Sequence, residues 1–182
     1  MEHGTSYESF GLDLSRGHLS SYPLVLAAQM GDRAAFQELV QSYDSRVMRI
    51  ALALTDSETA AQGIYCGVLT DAFTSVNQLD SSSSVFIWLY RILVRHCLEY
   101  CRRRSIDGRS YADDEPASRL ARALFTLPPT ERVVFLLKQF QALKVRTLAE
   151  IFNAPPEFII ATLQNAISHL RAQLKTVARH PA

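Results

Sequence analysis

The sequence predicts an all-α protein with two small helical domains joined by a polar linker. Three observations support this fold class. Apolar residues recur every three or four positions over most of residues 24–104 and again from residue 118, a spacing typical of amphipathic helices. Residues 105–117 interrupt that spacing with polar residues, a glycine and a proline. Residues 145–178 combine a short helix, a turn and a longer helix, which is a helix-turn-helix pattern.

Composition indicates a globular protein without a global attraction to nucleic acid. The chain has 182 residues, of which 48% are hydrophobic and 20% are charged, enough for two small domains. Its formal net charge is +1, so any nucleic-acid binding would depend on local patches. Its cysteines are too few for a disulfide framework, and no signal peptide or long apolar span is apparent. We therefore expect a cytoplasmic protein that does not enter a membrane.

We expect residues 1–22 to form a mobile tail and residues 23–104 to form the first domain, a four-helix bundle. A short helix follows Pro23. Residues 34–54 keep one helical period throughout, which predicts a single long amphipathic helix. The third helix is expected over residues 55–76, with Thr55, Asp56 or Ser57 as its cap.

The fourth helix, residues 85–104, is the best candidate for a nucleic-acid interface. Its apolar stripe consists of Phe86, Leu89, Tyr90, Leu93, Cys97, Leu98 and Cys101. Its polar side and its far end carry Arg91, Arg95, Arg102, Arg103 and Arg104, and Trp88 and Tyr90 lie near its start. Arginines beside exposed aromatic rings suit a phosphate backbone with unstacked bases. The alternative is an ordinary core helix whose arginines are only solvated.

The second domain is expected at residues 118–182, after the linker at 105–117. The helical period resumes there, and Pro128-Pro129-Thr130 opens a further helix. The helix-turn-helix follows, with its break at Asn153-Ala154-Pro155 and its last helix beginning at Pro156.

Five motifs follow one another between Leu24 and Leu174. They are GDRAAFQELVQSY, a helix ending in AF, WLYRI with an arginine run, LPPTERVVFLL, and TLAEIFNAPPEFIIATLQNAISHLR. This order resembles that of bacterial RNA polymerase sigma factors of the extracytoplasmic-function group. The resemblance implies that the first domain binds the clamp helices of core RNA polymerase and melts the −10 promoter element. It also implies that the last helix reads the −35 element, and that the protein is not an enzyme and needs no cofactor.

The resemblance assigns candidate residues to three surfaces. The −10 contacts are Trp88, Tyr90, Arg91, Arg95, Arg102, Arg103 and Arg104. The −35 contacts are Thr162, Gln164, Asn165, Ser168, His169 and Arg171, among which an amide side chain can pair with adenine. The polymerase contacts are Gln62, Gly63, Cys66 and Gly67.

The chain departs from the family pattern at two of these surfaces. Where the third helix of the family carries an acidic run, this chain has AQGIYCGVLTDAF. The last helix lacks most of the lysines and arginines that would contact phosphates. Phe158, Ile159 and Ile160, expected to be exposed, would instead suit a protein partner.

Phosphorylation could restore negative charge to the third helix. Thr55, Ser57 and Thr59 lie in or next to its expected first turn, where a phosphate would sit at the positive end of the helix. We hypothesise that a Ser/Thr kinase switches polymerase binding on at Thr59, with Thr55 and Ser57 as secondary candidates. The alternative is that these hydroxyls only cap the helix.

A second function is also open, that of a sigma-like binding module that sequesters an anti-sigma factor or another regulator without initiating transcription. The arginine-rich fourth helix favours initiation, and the two altered surfaces favour the binding module. Cys97 and Cys101, with His96 nearby, have the spacing of metal ligands, but no second ligand pair is found. We therefore expect buried structural cysteines and no metal.

Overall fold

The computed structural model describes residues 17–80, 83–106 and 119–178. The helices are α1 (Gly17–Gln29), α2 (Arg33–Gln41), α3 (Asp44–Thr55), α4 (Glu58–Ser75), α5 (Val85–Ile106), α6 (Arg119–Phe125), α7 (Pro129–Gln141), α8 (Val145–Phe152) and α9 (Pro156–Ala178). A 3-10 turn, Val76–Gln78, follows α4. The all-α prediction is confirmed. Most of the expected tail and linker lies outside the described residues. Where the structure describes the tail the prediction is wrong, because α1 begins at Gly17 and contains Pro23. α5 continues two residues into the predicted linker.

The prediction of one long helix over residues 34–54 is wrong, because the chain bends between α2 and α3. Asp32 caps α2, its Oδ1 accepting hydrogen bonds from the backbone N–H groups of Ala34 at 2.9 Å and Ala35 at 3.1 Å. At the bend, the N–H of Tyr43 donates to the carbonyl of Val40 at 2.8 Å. Buried apolar residues continue on both sides of the bend, so the sequence period does not reveal it.

Polar residues define the junction between α3 and α4. Asp56 ends α3 in the left-handed conformation at φ 50°, and its N–H donates to the Leu52 carbonyl at 2.8 Å. Ser57 then caps α4, its Oγ accepting from the N–H of Ala60 at 3.4 Å. The start of α4 is therefore fixed by Ser57 among the three predicted cap residues.

α5 is the central element of the fold. It packs against α3, α4, α7 and α8. Its apolar stripe lies in the core, where Leu89, Tyr90, Leu93 and Cys97 are each at most 1% exposed. This burial positions the arginines of the opposite side at the surface.

A buried arginine joins α6 to α7. Arg132 is 2% exposed, and its Nη2 donates to the carbonyl of Phe125 and, at 3.2 Å, to that of Leu127. Its guanidinium also lies over the Phe125 ring, 5.4 Å from the centroid. These contacts satisfy carbonyls at the end of α6, where helical partners are missing.

The N-terminal half, α1–α5, and the C-terminal half, α6–α9, pack against each other. Besides the contacts of α5, α3 packs against α7. Hydrogen bonds between described residues cross the seam: the amide of Gln141 donates to the carbonyl of Arg46 at 3.4 Å, and Arg91 donates to the carbonyl of Glu150. The halves therefore form a closed arrangement.

Candidate nucleic-acid and polymerase interfaces

The two aromatic residues predicted to contact the −10 element differ in exposure. Trp88 is partly buried and packs against a cluster that includes Val25, Leu39 and Val85. Tyr90 is 0% exposed, with its ring centroid 4.2 Å from that of Phe86. Tyr90 therefore cannot stack on an unpaired base, and this assignment is wrong. Its position on the buried stripe explains the error, and burial raises the pKa of its hydroxyl.

The arginines of α5 lie at the surface, and each has an acceptor within the chain. The side chains of Arg95, Arg102 and Arg103 are 64%, 61% and 73% exposed. The partners are the Glu150 carbonyl for Arg91, Asp71 for Arg95, Glu99 for Arg102 and Arg103, and the Tyr100 hydroxyl for Arg104. Exposed ion pairs of this kind are weak, so phosphates could displace the carboxylates.

Glu99 accepts hydrogen bonds from two arginines in the last turns of α5, Arg102 and Arg103. It accepts from Arg102 Nη2 at 2.6 Å and from Arg103 Nε at 2.7 Å. These hydrogen bonds, first from Arg102 and then from Arg103, lower the pKa of Glu99 to about 2. The same partner raises the pKa of Arg102. The sequence analysis missed Glu99, although its spacing of three and four residues from the arginines is a recognisable signal.

A groove of about 1010 Å³ lies between α4, α5 and α8. Gly63 and Gly67 line its α4 side, and Ile151 and Phe152 line its α8 side. The imidazole of His96 lies over Gly67 and contacts Asp71 Oδ2 through Nε2 at 2.8 Å. Asp71 therefore binds both Arg95 and His96, a tertiary contact for which the sequence gives no signal.

The four predicted polymerase contacts lie on the α4 side of the molecule. Gln62, Gly63 and Cys66 are exposed, and Gly67 is partly covered. Gln62 donates to Glu58 Oε1 at 3.4 Å, within the first two turns of α4. Their exposure makes them accessible to a partner, and their role stays a prediction.

Only one of the three predicted phosphorylation sites has suitable geometry. Thr55 is 3% exposed and its hydroxyl donates to the Ala51 carbonyl at 2.9 Å, so a kinase could not reach it without unfolding the end of α3. This assignment is wrong. Ser57 is already used as the N-cap of α4. Thr59 is exposed in the first turn of α4.

Most of the predicted −35 contacts on α9 are exposed, but Thr162 is buried. Thr162 is 6% exposed and donates to the Phe158 carbonyl at 2.7 Å, so it does not face DNA. Ile159, expected to be exposed, is 0% exposed. Both assignments are wrong because α9 docks through a stripe at spacings of three and four. That stripe consists of Ile159, Thr162, Ala166 and Leu170.

The other predicted −35 contacts are exposed, namely Gln164, Asn165, Ser168, His169 and Arg171. Two of them also bond within the chain. His169 Nδ1 contacts Glu131 Oε2 at 2.7 Å, and Ser168 Oγ donates to the Gln164 carbonyl at 2.9 Å. Beside them, Phe158, Ile160, Ile167 and Leu174 are between 38% and 45% exposed. Ile160, Ile167 and Leu174 recur every seven residues along one flank of the buried stripe, so the exposed surface of α9 carries both apolar and polar side chains.

The cysteines do not suggest a metal centre. Cys97 and Cys101 are buried free thiols, and burial raises the pKa of Cys97. Cys66 is exposed. None of the described helices has the length and apolar character needed to cross a lipid bilayer.

The fold and these surfaces define an all-helical protein of the helix-turn-helix class, with an arginine-bearing helix packed beside that motif. No profile of a known protein family matches the chain. It is 23% identical over 170 residues to the ECF RNA polymerase sigma factor SigM of Mycobacterium tuberculosis, covering 87% of this chain and 85% of SigM.

Two solved structures have the same fold. One is CnrH in complex with the cytosolic domain of CnrY, with a TM-score of 0.69, 21% identity, and coverage of 86% of this chain and 98% of CnrH. The other is the sigma factor RpoE in complex with the anti-sigma factor NepR from Bartonella quintana, with a TM-score of 0.62, 17% identity, and coverage of 77% and 96%. The chain is thus similar to ECF RNA polymerase sigma factors over most of its length, at low sequence identity.

Proposed function

We propose that this protein is an alternative sigma factor that directs RNA polymerase to specific promoters in the cytoplasm. The observation that carries the proposal is the arginine-bearing surface of α5, which the burial of the opposite stripe turns outward. In this proposal residues 23–104 bind core polymerase and the −10 element, and residues 118–182 bind the −35 element. The protein acts without a cofactor.

The −10 contacts are assigned to the exposed cations of α5. Arg95, Arg102 and Arg103 would contact phosphates after exchanging their carboxylate partners for DNA. Arg91 and Arg104 would add contacts at either end of this surface. Trp88 packs the start of α5 against the cluster that includes Val25 and Leu39. It is the candidate aromatic contact with a base, because Tyr90 is buried.

The −35 contacts are assigned to the exposed polar residues of α9. Gln164 and Asn165 are the candidates for reading adenine, and Arg171 is the candidate for a phosphate or a guanine. Ser168 and His169 lie on the same exposed side and complete the surface. Among the described side chains of α9, residues 156–174, Arg171 is the one permanent cation, so we expect a shallow salt dependence.

The polymerase contacts are assigned to α4, with Gln62, Gly63, Cys66 and Gly67 facing the clamp helices. This surface lacks the acidic run of the family, and a phosphate on exposed Thr59 would supply nearly two negative charges in the first turn of α4. The positive end of the helix would favour that charge. A Ser/Thr kinase is therefore the proposed activator.

Run-off transcription with purified core polymerase tests this proposal. We expect promoter-dependent transcripts with the protein and none with core polymerase alone. Thr59→Glu should raise polymerase affinity over Thr59→Ala, with Thr70→Glu, an exposed threonine near the other end of α4, as the charge-matched control. Equal polymerase affinities for all three variants would contradict activation by phosphorylation, but they would not contradict the proposed role in initiation. The absence of transcripts from host promoters, with and without kinase, would contradict initiation.

The second candidate function is binding of an anti-sigma factor without initiation. The exposed apolar flank of α9 favours it, since Ile160, Ile167 and Leu174 lie on one flank of the helix and suit a protein partner better than DNA. Of the two solved structures with this fold, one is a complex with the anti-sigma factor NepR and the other is a complex with the cytosolic domain of CnrY. Purification of the protein from its host distinguishes the two functions: polymerase subunits should co-purify with an initiating factor, and a small regulator alone with a sequestering module.

A further inference from the structure

Three large apolar side chains form an exposed strip along α9. Ile160 is 45% exposed, Ile167 is 38% exposed and Leu174 is 42% exposed. Seven residues differ from two full helical turns by only about 20°, so these side chains share one flank of the helix over about 21 Å. We call these three residues the apolar flank of α9. Leu163 lies beside them, partly buried against the core.

The spacing of these residues is the one by which two α-helices pack along each other. Ile160, Leu163, Ile167, Leu170 and Leu174 alternate at intervals of three and four, as the a and d positions of a heptad repeat do. Leu170 is only 6% exposed, because it packs within its own molecule. The apolar flank and part of Leu163 therefore remain available to a second helix, which makes a narrower contact than a full coiled coil.

The charges of α9 favour an antiparallel pair of α9 helices over a parallel one. Over residues 156–174, Glu157 is the one acid and Arg171 is the one permanent cation. A parallel pair would bring each of them to the height of the same residue on the second copy, where like charges repel. In an antiparallel pair the helix dipoles oppose each other, and Glu157 reaches the helix end that carries Lys175 in the sequence.

The apolar flank is also symmetrical about its central residue. Ile160 and Leu174 are each seven residues from Ile167. A two-fold axis at Ile167 would therefore bring Ile160 of each copy opposite Leu174 of the other. The flank is complementary to itself, as an interface between two identical chains requires.

We propose that a second copy of this chain binds the apolar flank, with the two α9 helices antiparallel about a two-fold axis at Ile167. A contact of this kind closes at two copies and forms no filament. An interface made by one helix from each copy lies at the low end of specific interfaces, on the order of 1,000 Å² in total. We therefore expect a dimer that dissociates in the micromolar range.

This pairing would cover part of the surface proposed to read the −35 element. Gln164 follows Ile160 by four residues, and Arg171 follows Ile167 by four, so both are neighbours of the apolar flank on the helix surface. A DNA duplex and a second copy would then compete for α9. This competition rests on the proposed function, whereas the pairing itself does not.

Sedimentation velocity of the full-length chain over a series of concentrations tests the pairing. We compare Ile167→Glu with Phe158→Glu, which adds the same charge to α9 at a residue that is 45% exposed. Phe158 precedes Ile167 by nine residues, or two and a half turns, and so lies on the opposite side of the helix.

We expect the dissociation constant of the dimer to rise about tenfold or more in Ile167→Glu, because two carboxylates would meet at the axis. Phe158→Glu should leave it unchanged. Circular dichroism should show equal helix content in both variants, since both residues are partly exposed. A wild type that is monomeric at every concentration, or a dimer that Ile167→Glu leaves intact, would overturn the proposal.

Cross-linking distinguishes the antiparallel arrangement from a parallel one. In a Cys66→Ser chain the remaining cysteines are buried, so a short bismaleimide reacts at an added cysteine. It should join Ile167→Cys chains to each other and Ile160→Cys chains to Leu174→Cys chains. Two Ile160→Cys chains should not be joined, because these positions would lie about 21 Å apart along the helices. Self-linking of Ile160→Cys without the mixed product would overturn the antiparallel arrangement.

A mixed-sequence DNA duplex tests the competition. We expect excess duplex to dissociate the wild-type dimer and to bind the monomer. Binding of duplex to an intact dimer would overturn the competition. No binding of duplex to the monomer would contradict the proposed DNA contacts of α9 and leave the pairing standing.

Discussion

The imidazole of His96 occupies the space that a β-carbon on residue 67 would need, because such an atom would lie 2.7 Å from His96 Cε1. One turn earlier, a β-carbon on Gly63 would meet nothing within 4 Å. The two glycines of α4 therefore have different explanations. Gly67 is required by the packing of α5, and Gly63 leaves the surface of the groove open.

The two glycines should respond oppositely to alanine. Gly63→Ala should raise the free energy of unfolding by about 1 kcal/mol, since alanine favours the helix and has room. Gly67→Ala should lower it by about 1 kcal/mol, because His96 must move away from Asp71. Urea denaturation of both variants measures the difference. In the His96→Ala background, Gly67→Ala should raise the free energy of unfolding, because the imidazole is no longer in the way. If Gly67→Ala lowers the free energy of unfolding equally in both backgrounds, His96 is not the obstacle.

Tyr90→Phe should leave DNA binding unchanged and stabilise the fold slightly. Among the described residues, the Tyr90 hydroxyl is buried without a hydrogen-bond partner. Its removal relieves a desolvation cost, so we expect a gain of up to about 1 kcal/mol in the free energy of unfolding. Thermal unfolding and oligonucleotide titration measure the two effects. A loss of DNA affinity with unchanged stability would restore Tyr90 as a base contact.

The end of α5 should weaken in acid because of Glu99. The hydrogen bonds from Arg102 and Arg103 lower the pKa of Glu99 in the folded protein from its usual 4.5 to about 2. A lowered pKa stabilises the folded state above the unfolded value, and this stabilisation is lost as the pH falls from about 4.5 through about 2. Circular dichroism over this pH range should show a smaller loss of helical signal in Glu99→Gln than in the wild type. Identical profiles would mean that the arginine pairs are not maintained in solution.

Glu99→Gln should also strengthen binding to single-stranded DNA, because Glu99 competes with phosphates for Arg102 and Arg103. We expect several-fold higher affinity and a steeper dependence of the binding constant on salt concentration. Glu38→Gln on α2 makes the same charge change on another exposed helix. If both variants bind equally, the effect is one of net charge rather than of direct competition.

On α9, Asn165→Ala should reduce base discrimination by about 1–3 kcal/mol, the value of one bidentate contact. Thr162→Ala should leave base preference unchanged, because Thr162 faces the core. Binding to a library of duplexes measures both. A preference altered by Thr162→Ala and not by Asn165→Ala would require a different docking side of α9.

Periodicity in the sequence predicted the fold class and the central role of α5 correctly, because a buried stripe leaves a regular trace. It did not predict the bend at Tyr43, since buried residues continue across it. Periodicity placed Tyr90 on the buried stripe, but the resemblance assigned Tyr90 and Thr162 to DNA contacts without indicating which side of each helix is covered. Ile159 was likewise expected to be exposed, because only tertiary packing decides which side of α9 is buried. The Arg91–Glu150 contact had no sequence signal, as its acceptor is a backbone carbonyl.

The apolar side of α9 and the cationic side of α5 should respond to salt in opposite directions. Sulfate strengthens association between apolar surfaces by being excluded from them, whereas added ions weaken contacts with phosphate by reducing the gain from counterion release. A complex held through Ile160 and Ile167 would thus tighten in ammonium sulfate, and one held through α5 would dissociate. One salt titration of the complex purified from the host therefore reveals which helix the partner occupies.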